Sequence, residues 1–185
     1  MSAWLEQSAL VCSHQRVSFR VVGRIRLSTD HLRPRSTRRP SGHRRGMIPP
    51  FIHHSHAPLS SNIAIEERLA VMIGSANNRQ LWALFLDASD LQLQPLISIN
   101  RLPVVPQWPD LVEVVRRLDE VMQDIGAARL VLVWERFASP RLSDLDLVWV
   151  RQLAAACNYQ EVRLRAMLMS HCAGIRWIAP DDFAF

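Results

Sequence analysis

Apolar positions along this chain form two kinds of run. Leu81 to Leu86 is almost continuously apolar, the pattern of a central strand buried on both faces. Leu130 to Trp134 is a second run of this kind. Leu91-Gln92-Leu93-Gln94 alternates and predicts a strand reaching Ile99, with Pro95 marking an edge position or a bulge. Helical spacing is clearest over Asp110 to Ile125. Leu111, Val114, Val115, Leu118, Val121, Met122 and Ile125 line one face, Pro109 suits the first turn and Gly126 the residue past the end. A second helix is predicted from Ser143 to about Asn158, with Leu147, Val150, Leu153 and Cys157 as its apolar set. Val162 to Met169 alternates as a strand, Gly174 turns the chain, and Ile175 to Ile178 is a last short strand. Ile63 to Ile73 fits a strand or a short helix. Its β-branched residues and the turn Gly74-Ser75-Ala76-Asn77-Asn78 favour a strand over its second half. The expected order is β-β-β-α-β-α-β-β, an α/β (α+β) domain over residues 61–185 whose mixed sheet carries two flanking helices.

Residues 1–60 read differently. Val17 to Leu27 has some strand-like alternation, with no evident turn and partner. From His31 to Pro58 the composition shifts to Arg, His, Pro, Ser and Gly, which predicts a basic, largely disordered extension. The charge is split accordingly. Residues 1–50 hold ten Arg against Glu6 and Asp30, a net +8, and residues 51–185 hold twelve Arg against fifteen acids, a net −3. The pI of about 10.3 therefore belongs to the extension, not to the domain. A dispensable extension, with Met47 as a later start, is the first reading of this segment. A transit peptide is another. A third is an arm making weak nucleic-acid contact through residues 16–45, though no Phe, Tyr or Trp interleaves the arginines from Arg33 to Arg45 to stack bases. His53, His54 and His56 suggest an exposed loop more than a metal site, having no Cys or acid in register.

Three cysteines, Cys12, Cys157 and Cys172, form neither a disulfide framework nor a zinc signature. Cys157 and Cys172 sit in apolar contexts, as buried thiols of a reducing compartment would. No run is long enough to span a membrane. The expected compartment is the cytoplasm. The chain has no Lys, and all 22 basic residues are Arg, a feature of GC-rich coding before it is one of anion binding.

Candidate chemistry gathers where the Leu130–Trp134 strand meets the helix after it. Ser143-Asp144-Leu145-Asp146 opens that helix, and Leu84-Phe85-Leu86-Asp87 ends an earlier strand. In these features and in element order, residues 79–178 resemble the JAB/JAMM (MPN-type) domain, most closely its RadC-like branch. Ser143 and Asp146 are similar to the close of the family motif His-x-His-x7-Ser-x-x-Asp. The resemblance implies a zinc hydrolase. In it two imidazoles and an Asp hold Zn²⁺, a Glu takes a proton from the bound water, and the Ser donates to the developing oxyanion. At motif spacing the two His positions fall on Val133 and Glu135, and the Glu position falls on Arg79. Val133 cannot ligate zinc and Arg79 cannot act as a base.

The resemblance thus implies a degenerate domain: a non-catalytic protein-interaction or structural module, partnered by another protein or by itself. The alternative is a metal-dependent peptidase or isopeptidase with an altered site. Ser143 would be its catalytic residue and Asp146 with Glu135 its metal ligands, helped by His171 or a histidine of His53–His56. Zinc is expected only in that case. The plainer reading of Ser143 and Asp146 is a helix cap, and that of Glu135 an ion pair with Arg136, Arg141 or Arg79.

Overall fold

The computed structural model describes Ala9–Cys12, Gln15–Val22, residues 57–179 and Asp181. A seven-stranded mixed sheet runs through it in the order β1-β2-β4-β3-β5-β6-β7. The strands are β1 (Ala9–Cys12), β2 (Gln15–Val22), β3 (Gln80–Leu86), β4 (Gln92–Asn100), β5 (Arg129–Glu135), β6 (Leu164–His171) and β7 (Gly174–Trp177). Three helices flank it: α1 (Asn62–Met72), α2 (Trp108–Ile125) and α3 (Asp144–Tyr159). Among the described residues only β5 and β6 pair in parallel, and α3 is the crossover between them. The expected α+β fold with a mixed sheet is what the chain adopts.

The two faces of the sheet carry separate cores. Leu81, Ala83 and Phe85 of β3 with Leu130, Leu132 and Trp134 of β5 pack under α2 and α3. Leu84 and Leu86 with Val131 and Val133 pack under α1. Alternation along a strand sends neighbours to opposite faces, so both central strands read as continuous apolar runs. α2 buries the predicted stripe Leu111, Val114, Val115, Leu118 and Met122, and Gly126 closes it at φ 69°. Pro95 sits at the register irregularity between the Ala83 and Phe85 pairings, the bulge its position suggested.

Three features depart from the sequence-based expectations. The helices among the described residues number three, because residues 62–72 form α1 and no strand. Apolar side chains at Ile63, Ile65, Val71 and Ile73 imitate a period of two. The chain resolves the ambiguity with a Ser61 cap whose hydroxyl accepts from the Ala64 N–H at 3.1 Å, and with burial of Ile65 and Leu69, four residues apart. Next, the strand hinted at in residues 17–27 is β2, and it has partners on both sides: β1 from Ala9 opposite Ser18 to Cys12 opposite Gln15, and β4 from Ser18 opposite Asn100 to Val22 opposite Leu96. Part of the stretch read as a disordered extension therefore belongs to the sheet. Finally, β4 is an inner strand between β2 and β3, although its described pairing with β2 runs only from Leu96 to Asn100 and stops short of Pro95. The Arg-rich stretch after Val22 and the histidines at 53, 54 and 56 lie outside the described residues. Among the described residues no helix is long and apolar enough to cross a membrane.

Helix α1 gives a direct test. Leu69 is 0% and Val71 78% exposed, whereas a strand would turn both to one face. Leu69→Ala is expected to cost about 2–5 kcal/mol in urea unfolding, and Val71→Ala no more than about 0.5 kcal/mol.

Candidate functional site

The carboxyl end of β5 carries two buried carboxylates, Glu135 and Asp146, at 3% and 4% exposure. They lie on opposite faces of the sheet. Glu135 follows Val133 toward the α1 side and bonds Trp82, which packs with that core. Asp146 lies in the first turn of α3 and bonds Trp134 of the other core. The structure does not bring together the pair the sequence offered as metal ligands. The physical reason is the pleat: Trp134, not Glu135, points at α3.

Asp146 is fully engaged. Its Oδ1 accepts from Trp134 Nε1 at 2.9 Å. Its Oδ2 accepts from the Ser143 N–H at 2.8 Å and from the Ser143 hydroxyl at 2.7 Å. Arg136 Nε forms an ion pair with the same oxygen at 2.7 Å. Ser143 Oγ accepts in return from the Asp146 N–H at 3.2 Å, completing a capping box. The hydroxyl that would donate to an oxyanion thus donates to Asp146 instead. Burial pushes the Asp146 carboxyl up, but the two Ser143 bonds, Trp134 and the Arg136 charge outweigh it and hold the group below the ordinary carboxylate range.

Above this cap lies an aromatic and cationic stack. The Trp134 and Trp149 rings are 4.9 Å apart and nearly parallel at 21°. The Arg79 guanidinium sits 5.3 Å from the Trp134 ring centre and 5.6 Å from that of Trp149. Its Nη2 donates to the Val104 carbonyl at 2.9 Å, which also accepts from Trp149 Nε1 at 3.0 Å. Burial lowers the Arg79 pKa, and the charge of Asp146 opposes that shift.

Glu135 has no ion pair among the described residues, contrary to the expected pairing with Arg136, Arg141 or Arg79. Four neutral N–H groups take the place of a cation. Oε1 accepts from the Asn77 and Asn78 backbones at 2.7 and 3.0 Å. Oε2 accepts from Gln80 Nε2 at 2.6 Å and Trp82 Nε1 at 2.5 Å. Burial raises this carboxyl too, and the bonds from Trp82, Asn77, Asn78 and Gln80 together bring it below the usual range.

His171 closes β6 with its Nδ1 accepting from the Ala173 N–H at 3.2 Å. Burial first, then the charges of Arg176 and Arg136, lower its pKa below the ordinary imidazole value. Among the described residues no three His, Cys, Asp or Glu side chains come together as a metal site would need. The residues at this place do not fit zinc: Glu135 accepts two donors on each oxygen and lies on the other face of the sheet, Val133 is apolar, and the side chains beside Asp146 are the indole N–H of Trp134 and the Arg136 cation.

Trp134, Arg136 and Trp149 are the residues that counting by motif missed; Arg79 it had placed. For Trp134 and Arg136 the signal was an indole and a guanidinium two residues apart at the end of β5, one position away from the counted pair. Comparison with family models gives no match for this chain, and comparison with curated proteins gives none.

Both acids are held low in the folded state, so their contribution to stability is fully present above their unfolded values near pH 4 and is lost as pH falls through the lower folded values. Asp146→Asn is expected to flatten the acid limb of a stability–pH profile measured by urea unfolding. At pH 7, Asp146→Ala should cost about 3–5 kcal/mol by leaving Arg136 unpaired beside a buried indole N–H, and Ser143→Ala about 0.5–2 kcal/mol.

Proposed function

We propose that this chain is a non-catalytic RadC/JAB-like domain, a cytoplasmic structural or protein-interaction module. One observation carries the reading. The carboxylate that would ligate the metal is saturated by Trp134, Ser143 and the Arg136 guanidinium. On the family resemblance, a pair of metal ligands two residues apart would face this Asp. Trp134 and Arg136 have that relation to it here, and both offer N–H groups rather than lone pairs. Arg136 supplies the positive charge that a metal ion would otherwise bring to Asp146. Arg79, at the position the resemblance gives to the general base, is a cation stacked on two indoles.

An interaction role draws support from apolar side chains left in solvent. Val104 and Val105 precede α2, and Trp108 and Tyr159 meet edge to face at 5.9 Å while remaining exposed. The free thiols of Cys157, which burial pushes up to about 12, and of Cys172 fit a reducing compartment.

Metal analysis of the purified full chain tests the reading. Zinc well below stoichiometric is expected, and the same content in the Asp146→Ala variant. Stoichiometric zinc that disappears with Asp146→Ala would establish the hydrolase alternative instead.

A further inference from the structure

The sheet ends at β7, whose outer side is bare among the described residues. Residues that face each other across an antiparallel pair alternate between exchanging hydrogen bonds and not. Ile178 donates its N–H to the Met167 carbonyl at 3.0 Å, one step beyond the pairing of Trp177 with Leu168. The bonded positions within β7 are therefore Gly174 and Arg176, and the N–H and C=O groups of Ile175 and Trp177 point away from β6. None of these four groups has a protein partner among the described residues. They form a template for one more strand.

The side chains of this edge divide between the two faces. Ile175 and Trp177 pack against the α1 core and are half-buried. Arg176, between them, lies opposite Met169 of β6 and so turns to the α3 face. Arg136, on the same face, is paired with Asp146. Arg176 has no ion pair and no hydrogen bond among the described residues, and its Nε is buried without an acceptor. A buried N–H in that state is unfavourable, and an anion arriving along the edge would relieve it. A cation in the middle of a bare edge also sorts its partners. In a second copy laid antiparallel so that Ile175 meets Trp177, Arg176 would fall opposite Arg176, and like charges directly opposed repel. An acidic residue at that place is attracted instead and accepts the bond that Nε lacks.

We propose that β7 takes up an extended segment of a partner protein as a further antiparallel strand, with an acidic residue opposite Arg176 and apolar residues opposite Ile175 and Trp177. The backbones of the two apolar residues exchange hydrogen bonds with Ile175 and Trp177 and supply affinity. The acid–Arg176 pair fixes the register and selects the partner. This deepens the interaction role given above and rests on it. Zinc content tests the metal-free site of that reading and peptide binding tests the edge, so the two can fail separately.

The test is a titration of the full-length chain with the blocked peptide acetyl-Ser-Thr-Val-Glu-Val-Thr-Ser-amide, following the backbone amide resonances of Ile175 and Trp177 by NMR. A saturable shift of both amides is expected, with a Kd of roughly 0.1–1 mM for so short a strand. Affinity should fall about tenfold when the peptide's Glu is replaced by Lys, about tenfold when both of its Val nitrogens are methylated, and several-fold in Arg176→Gln. In Arg176→Glu the preference between the Glu and Lys peptides should reverse, a ratio within one variant that an effect on folding would not imitate. No saturable shift up to about 5 mM, equal binding of the methylated or the Lys peptide, or an unchanged preference in Arg176→Glu would overturn the proposal. So would dimerisation of the chain that perturbs the same two amides without peptide, which would assign the edge to a second copy.

Discussion

Each residue of β5 must point to one face of the sheet or the other, and the arrangement of this protein follows from that. Leu130, Leu132 and Trp134 face α2 and α3, and Val131 and Val133 face α1. The alternation continues past the last strand residue. Glu135 turns to the α1 side, while Arg136, still hydrogen-bonded through its N–H to the Ser170 carbonyl at 3.1 Å, turns back to Asp146. Both helical layers are thereby tied to one strand. The α3 cap reaches β5 through Trp134 and Arg136, and the loop before β3 reaches it through Glu135.

Burying two carboxylates would cost several kcal/mol each without compensation. The chain compensates them by different means. Asp146 has a guanidinium and sits in the first turn of a helix, where the dipole also favours an anion. Glu135 has backbone and side-chain dipoles alone, two to each oxygen. Losing any one donor on either side leaves a buried charge short of partners, so both ends of the network hold their neighbours in a single geometry. Around Asp146 the result is a closed structure of stacked indoles and an inserted arginine. Around Glu135 it is the floor of an open cavity.

That contrast bears on function. A hydrolytic site needs groups left free to bind and move protons, and the Asp146 side has spent its groups on itself. The Glu135 side is saturated at the carboxylate, with two donors on each oxygen.

Local pattern determined much of this. The α2 stripe, the Ser143–Asp146 cap, the two doubly buried strands and the β-α-β crossover are all set by residues close in sequence, through helical spacing, side-chain capping and apolar runs. The nature of residues 62–72 was not, because apolar residues spread around that segment satisfied both a period of two and a helix, and only burial against Leu84, Leu86 and Val131 chose between them. Nor was the content of the site. Counting residues along a loop cannot say which of two neighbouring strand positions faces a helix, and a shift of one exchanges Val133 and Glu135 for Trp134 and Arg136. The polar floor is less legible still. Gln80, Ser98 and Asn100 each look like an ordinary end to an apolar strand, and the tertiary pairing of β2, β4, β3 and β5 is what brings them together around one buried charge.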